Sequence, residues 1–158
     1  MTRLAVAPEW SVWRAAAVLA AGGLFASWVT RSSADDNVLV VQVTGFRDDA
    51  GQAGCAIFAA SSGFPKEVAR ATATRFVRVD RRTATCTFEG LAPGVYATVG
   101  FHDANGNRVV DTNFLGMPTE GIGVSRDARG TFGPPKFGDA AFRYAGGRAA
   151  VGVALHYL

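Results

Sequence analysis

The sequence predicts an all-β fold, an antiparallel sandwich of seven strands, on three observations. Short runs in which apolar and polar residues alternate recur along the 158-residue chain from residue 37 onward. Clusters of Gly, Pro, Asn and Asp punctuate them as turns do. No internal repeat or second domain is visible, so one sandwich accounts for everything after residue 34.

The elements follow in order. Residues 1–34 read as a secretory signal peptide: Arg3 and Arg14 precede an apolar run over residues 15–29, and Ser32-Ser33-Ala34 puts small residues where a signal peptidase cuts, before Asp35. The alternative is an uncleaved anchor. The run is shorter than the roughly 18–20 residues that span a bilayer and is broken by Gly22-Gly23 and Ser27. The domain expected after cleavage is 35–158, periplasmic or secreted, with membrane attachment only through a retained leader.

Residues 37–46, NVLVVQVTGF, give the first strand, with Leu39, Val41 and Val43 on one face. A turn at residues 47–51 leads to a second strand over 53–59, and the two are expected to form a hairpin. Residues 61–71 hold Gly63 and Pro65 and fit a loop with one helical turn, Phe64 plugging the core edge. Strands three and four, 74–80 and 83–88, flank Arg81-Arg82, a solvated hairpin tip. The phrase FEGLAPGVYA turns the chain into strand five, 95–101, with Tyr96 reaching back to cap the corner backbone. Strands six and seven lie in AAFRYA and RAAVGVALHYL, joined by a Gly146-Gly147 hairpin turn. This pattern is that of an Ig-like or transthyretin-like sandwich.

Between strands five and six lies a glycine-rich stretch, residues 102–139, too long for a mere connection. It is expected to be an ordered cap anchored by Phe114, Leu115, Met117, Ile122, Phe132 and Phe137, and to carry function.

Charge and cysteines narrow the function. Residues 1–34 hold Arg3, Arg14, Arg31 and Glu9, so their removal lowers the formal net charge from +3 to +1. The remaining arginines are scattered without aromatic platforms, which leaves no footprint for nucleic acid. Cys55 and Cys86 each alternate with apolar neighbours and point to a core face; in an exported chain a disulfide between them is the natural expectation, two buried thiols the alternative. Zinc lacks the paired ligand spacing of a structural site.

The chemistry concentrates in FHDANGNRVVDTNFLG, residues 101–116. Asp103, Asn105, Asn107 and Asp111, with the carbonyl of Val109, stand at positions one, three, five, nine and seven of a calcium loop, a set of hard oxygen donors. The sixth position is Arg108 where a sharp turn wants glycine, and the twelfth is Phe114 where a bidentate glutamate belongs. An Asx-rich turn that folds on its own backbone without metal is the other account of the same residues.

Taken together, GFPKE, TCTFEGLAPGVYA, FHDANGNRVVDTNFLGMPTEGIGVS and ARGTFGPPKFGDAAF resemble the secreted bacterial proteins grouped as domain-of-unknown-function family 2141. The resemblance covers nearly all of the chain after residue 34. Its most specific part is His102-Asp103, Asn105-Gly106-Asn107, Asp111-Thr112-Asn113, then Gly116, Pro118, Glu120-Gly121 and Ser125. Relatives typically have glycine where this chain has Arg108, and asparagines where it has Arg126-Asp127. The resemblance supports the sandwich and implies no established activity.

Three functions are therefore open. The favoured one is a binding module whose loop from His102 onward, with Asn113, Glu120 and Ser125, forms the surface for an unknown small ligand, calcium ordering the loop weakly. A hydrolase would use His102 as base, oriented by Asp103 or Asp111, with Ser125 as nucleophile or Glu120 as acid. No G-x-S-x-G elbow accompanies Ser125, and an enzyme is not expected. A cell-envelope structural or assembly protein would dock through an edge strand or the Phe-rich cap. His156 is expected on an exposed or edge face, alternating with inward Val153, Leu155 and Tyr157.

Overall fold

A computed structural model describes residues 36–158; the expected leader, residues 1–34, lies outside the described residues. Eight strands follow in chain order: β1 (Val38–Thr44), β2 (Gln52–Phe58), β3 (Ala73–Arg78), β4 (Thr83–Glu89), β5 (Gly94–Asp103), β6 (Ile122–Val124), β7 (Phe142–Tyr144) and β8 (Arg148–Ala154). A single four-residue helix, α1 (Phe137–Ala140), and two 3-10 turns, Val68–Arg70 and Ser125–Asp127, complete the described elements.

The strands form where alternation demands a two-faced element. In β1 Leu39, Val41 and Val43 are buried while Gln42 and Thr44 face water, and β4 alternates along its whole length. One sheet has the order β4-β1-β8 and the other β3-β2-β5-β6, with β7 also paired to β5. Leu39, Val41, Val43, Cys55, Ile57, Cys86 and Phe88 fill the space between them. The Cys55–Cys86 disulfide is formed and links β2 of the larger sheet to β4 of the smaller.

Two sequence expectations are corrected here. There are eight strands instead of seven, because the three-residue β6 pairs Val99 with Val124 and Phe101 with Ile122, and its glycine hides any alternation. The sandwich is also not wholly antiparallel: β8 runs parallel to β1, from Val38 opposite Arg148 to Thr44 opposite Ala154. Three expected hairpins are absent as well. β1 and β2 lie in different sheets, and so do β3 and β4, and β7 and β8, so all three turns carry the chain across the sandwich. At the Arg81-Arg82 tip only Asp80 and Thr83 pair, exchanging both backbone hydrogen bonds at 2.9 and 3.0 Å. Tyr96 donates its hydroxyl to the Ala92 carbonyl at 2.8 Å, the expected corner cap.

The larger sheet is covered on both faces. β2 and β5 are buried almost throughout. On the outer face Phe58, Ala97 and Val99 meet Phe64 and Phe137, with Phe64 edge-on to both aromatic rings. Gly54 is required there, since a Cβ would sit 2.1 Å from the Phe101 ring that lies over it. The cap, residues 104–141, rests against this sheet through Ile122, Val124, Phe137 and Ala140. Of the six apolar anchors expected, only Ile122 and Phe137 act as such. Phe114 and Phe132 are almost wholly exposed, at 95% and 102%, and Leu115 and Met117 face solvent too.

Candidate functional site

β5 carries the chain into the region through two adjacent residues with opposite orientations. His102 points into the sandwich and Asp103 to the outer face, and both are 0% exposed. The His102 Nε2 is 2.7 Å from the Ala50 carbonyl, which can only accept, so Nε2 carries the proton. Nδ1 then accepts from the Tyr157 hydroxyl at 2.9 Å, and Tyr157 Oη accepts in turn from the Arg47 N–H. Phe46 packs edge-on against the ring. Both ring nitrogens are thus engaged within the protein.

Asp103 braces the following loop. Its carboxylate accepts from the N–H of Asn107 and Arg108 at 3.0 and 2.8 Å and from Gln52 Nε2 at 2.7 Å. Asn105 and Asn107 each fold their Oδ1 back to the backbone two residues on, as Asx turns do, and donate their Nδ2 to the two oxygens of Asp111. Glu120, nearly buried, accepts from the N–H of Ala104 and Asp111 and pins both ends of the loop. Arg108 takes φ +65°, the left-handed conformation that the sixth position of a calcium loop imposes, and lays its guanidinium over Phe76.

These residues meet the needs of a hard cation in part. Asp103, Asp111 and Glu120 lie within one loop and none has a cationic side chain in salt-bridge contact among the described residues. Against that, every one of these oxygens already receives an N–H, and Asn105 and Asn107 show nitrogen, not oxygen, to Asp111. No group of three His, Cys, Asp or Glu side chains among the described residues converges as metal ligands do. A cation would have to turn both amides, with Asp103, Asp111 and the Asn105 and Asn107 oxygens as its ligands.

The other expected site residues are structural joints. Asn113 closes the turn that follows, its Oδ1 accepting from the N–H of Leu115 and Met117 at 3.0 Å. Ser125 is fully buried; its hydroxyl donates to the Ala140 carbonyl at 2.7 Å and accepts from the Thr98 N–H at 3.0 Å. It ties the 3-10 turn to β5 and α1.

Beyond Ser125 the cap encloses a cleft of about 510 Å³. Leu115, Met117, Ile122, Val124, Pro134 and Leu158 supply apolar lining, and Lys66, Asp127, Arg129 and His156 the charged groups. His156 Nε2 lies 2.7 Å from Asp127 Oδ1, which fixes the proton on Nε2. Arg129 Nη2 reaches Asp127 Oδ2 at 3.2 Å and sits near both ring nitrogens, at 2.9 and 3.3 Å, so it lies across the imidazole and does not bond to Nε2. The His156 hydrogen bond first, and the Arg129 contact second, hold the Asp127 carboxyl below the usual carboxylate range. The turn that presents Asp127 and leads to Arg129 is strained, with Arg126 at φ +63° and Asp127 at +48°.

The sequence model of the family described as "Uncharacterized protein conserved in bacteria (DUF2141)" matches residues 41–151. The chain belongs to this family. No curated protein and no solved structure is similar enough to count as a match. Arg108, Arg126 and Asp127 have left-handed backbone, the conformation that glycine and asparagine tolerate best. The cleft itself escaped the sequence reading: Asp127, Arg129 and His156 are 29 positions apart at the extremes, and the one local signal was the charged SRDAR in a stretch otherwise rich in glycine.

Proposed function

We propose that this chain is an exported binding module, not an enzyme, and that its ligand occupies the cap cleft. One observation carries the reading: a concave, mostly apolar cavity with a few convergent polar groups and strained backbone at its rim is the usual form of a small-molecule site. The residues a hydrolase would need support the same view. His102 is sealed in the core with both nitrogens engaged, and the Ser125 proton is committed to a carbonyl. The loop over Asp103–Asp111 then serves as the frame that holds residues 113–118, one wall of the cleft. Calcium is a second reading for that loop, favoured by the Asp103 and Asp111 carboxylates, which have no cationic partner among the described residues.

Amide-resolved NMR against a chemically mixed small-molecule set tests the binding reading. Binders are expected to shift the amides of residues 115–117 and 122–130. Shifts confined to another face would place the site elsewhere.

A further inference from the structure

The cleft is polarised as well as apolar. Its lining holds two fixed cations, Lys66 and Arg129, against one carboxylate, Asp127, and protonation of His156 adds to the excess. Asp127 does not cancel Arg129 fully. It is shared with His156, and among the described residues only Nη2 of Arg129 is engaged, which leaves Nε and Nη1 without a hydrogen bond. A guanidinium edge held at one end by a carboxylate and lying across an imidazole is oriented in advance, so less side-chain freedom is lost when a second planar anion binds. The remaining lining offers aliphatic and proline surface without another acid. The volume, about 510 Å³, lies inside the roughly 300–1,000 Å³ of small-molecule sites.

We propose that the cleft binds a free amphiphilic monocarboxylate, an aliphatic tail along Leu115, Met117, Pro134 and Leu158 and a carboxylate on the open edge of Arg129. The proposal rests on the binding-module reading and names its ligand class. Charge complementarity selects the anion: one uncompensated positive charge matches one carboxylate, while a cationic amphiphile would meet Arg129 and Lys66 head-on. Tail burial supplies the non-specific part of the affinity and Arg129 the discrimination.

Calorimetry on the purified protein with decanoate, decanol and decyltrimethylammonium, each below its micelle concentration, tests it. Decanoate is expected to bind about tenfold more tightly than decanol, the value of one charge-assisted hydrogen bond. Arg129→Ala should abolish that preference, bringing decanoate down to the affinity of decanol, and leave the melting temperature unchanged, because the Arg129 side chain is 64% exposed. Met117→Glu should weaken both ligands. Equal affinity for decanoate and decanol overturns the anion site and leaves the binding module standing. Decyltrimethylammonium binding as tightly as decanoate overturns it too, with Asp127 as the recognising group. Binding to phosphatidylglycerol vesicles without binding of free decanoate overturns it in favour of a membrane headgroup. If none of the three probes binds and the mixed set moves no cleft amide, the binding-module reading falls as well.

Discussion

A histidine between two protein acceptor-donor partners has no lone pair or proton to lend, and His102 is in that position. Its chemistry is spent on joining three segments: Ala50 in the β1–β2 connection, β5 itself, and Tyr157 near the C-terminus. His102→Ala removes the ring from a fully buried site and strands the Ala50 carbonyl and the Tyr157 hydroxyl. The expected loss is about 3 kcal/mol, from the cavity and the unsatisfied groups together. Urea denaturation followed by circular dichroism measures it; a loss below about 1 kcal/mol would mean that water replaces the ring at little cost. The sequence singled out His102 and Asp103 as candidates but not which way each points. That depended on β5 running two residues past the expected end at Phe101, to Asp103, which turned two loop residues into strand residues.

At the scale of elements, strand positions were legible because alternation is a local property; pairings were not, because partners are chosen by the sandwich. The faces of β1, β4 and β8 follow from Leu39, Ala84 and Val153 with their alternate neighbours. Yet sequence-adjacent strands such as β1 and β2 sit in opposite sheets, and β1 instead takes β4 and β8. Short β6 was invisible because IGV carries no period of its own and is a strand only beside Val99 and Phe101. The Asx loop shows the same division. Its turn chemistry could be read from Asp103, Asn105 and Asn107, while the Glu120 clamp, sixteen residues from the Ala104 it holds, could not. Self-satisfaction of the loop sets its response to calcium. Since both amides must turn to admit a cation, affinity is expected in the millimolar range, and calcium at its dissociation constant would add about 0.4 kcal/mol. Melting in 10 mM calcium chloride should run a few degrees above melting in EGTA, with the fold intact in both. A shift above about 10 °C would mark a tight site, and no shift together with no calorimetric heat would remove calcium from this loop.

For the molecule as a whole, the Cys55–Cys86 bond is decisive because of where it sits. It joins the central strand pair of one sheet to an edge strand of the other, so it spans the interface that the core residues fill. The pairing was legible in the sequence, since both cysteines alternate with apolar neighbours; that it links sheets and not neighbouring strands was not, for the same reason the hairpins were misread. With its ends 31 positions apart in sequence, the bond withdraws about 3–4 kcal/mol of chain entropy from the unfolded state. Domains of this size hold roughly 5–15 kcal/mol in all, so its loss is a large fraction of stability. Scanning calorimetry of a Cys55→Ala/Cys86→Ala variant should show the midpoint lowered by about 10–15 °C. The cleft is built from Pro65 and Lys66, residues 115–135 and the C-terminus, none of which contains either cysteine, so any ligand identified for it should still bind the variant below its new midpoint. A drop smaller than about 3 °C would show that the packed interface between the sheets holds the fold without its covalent link.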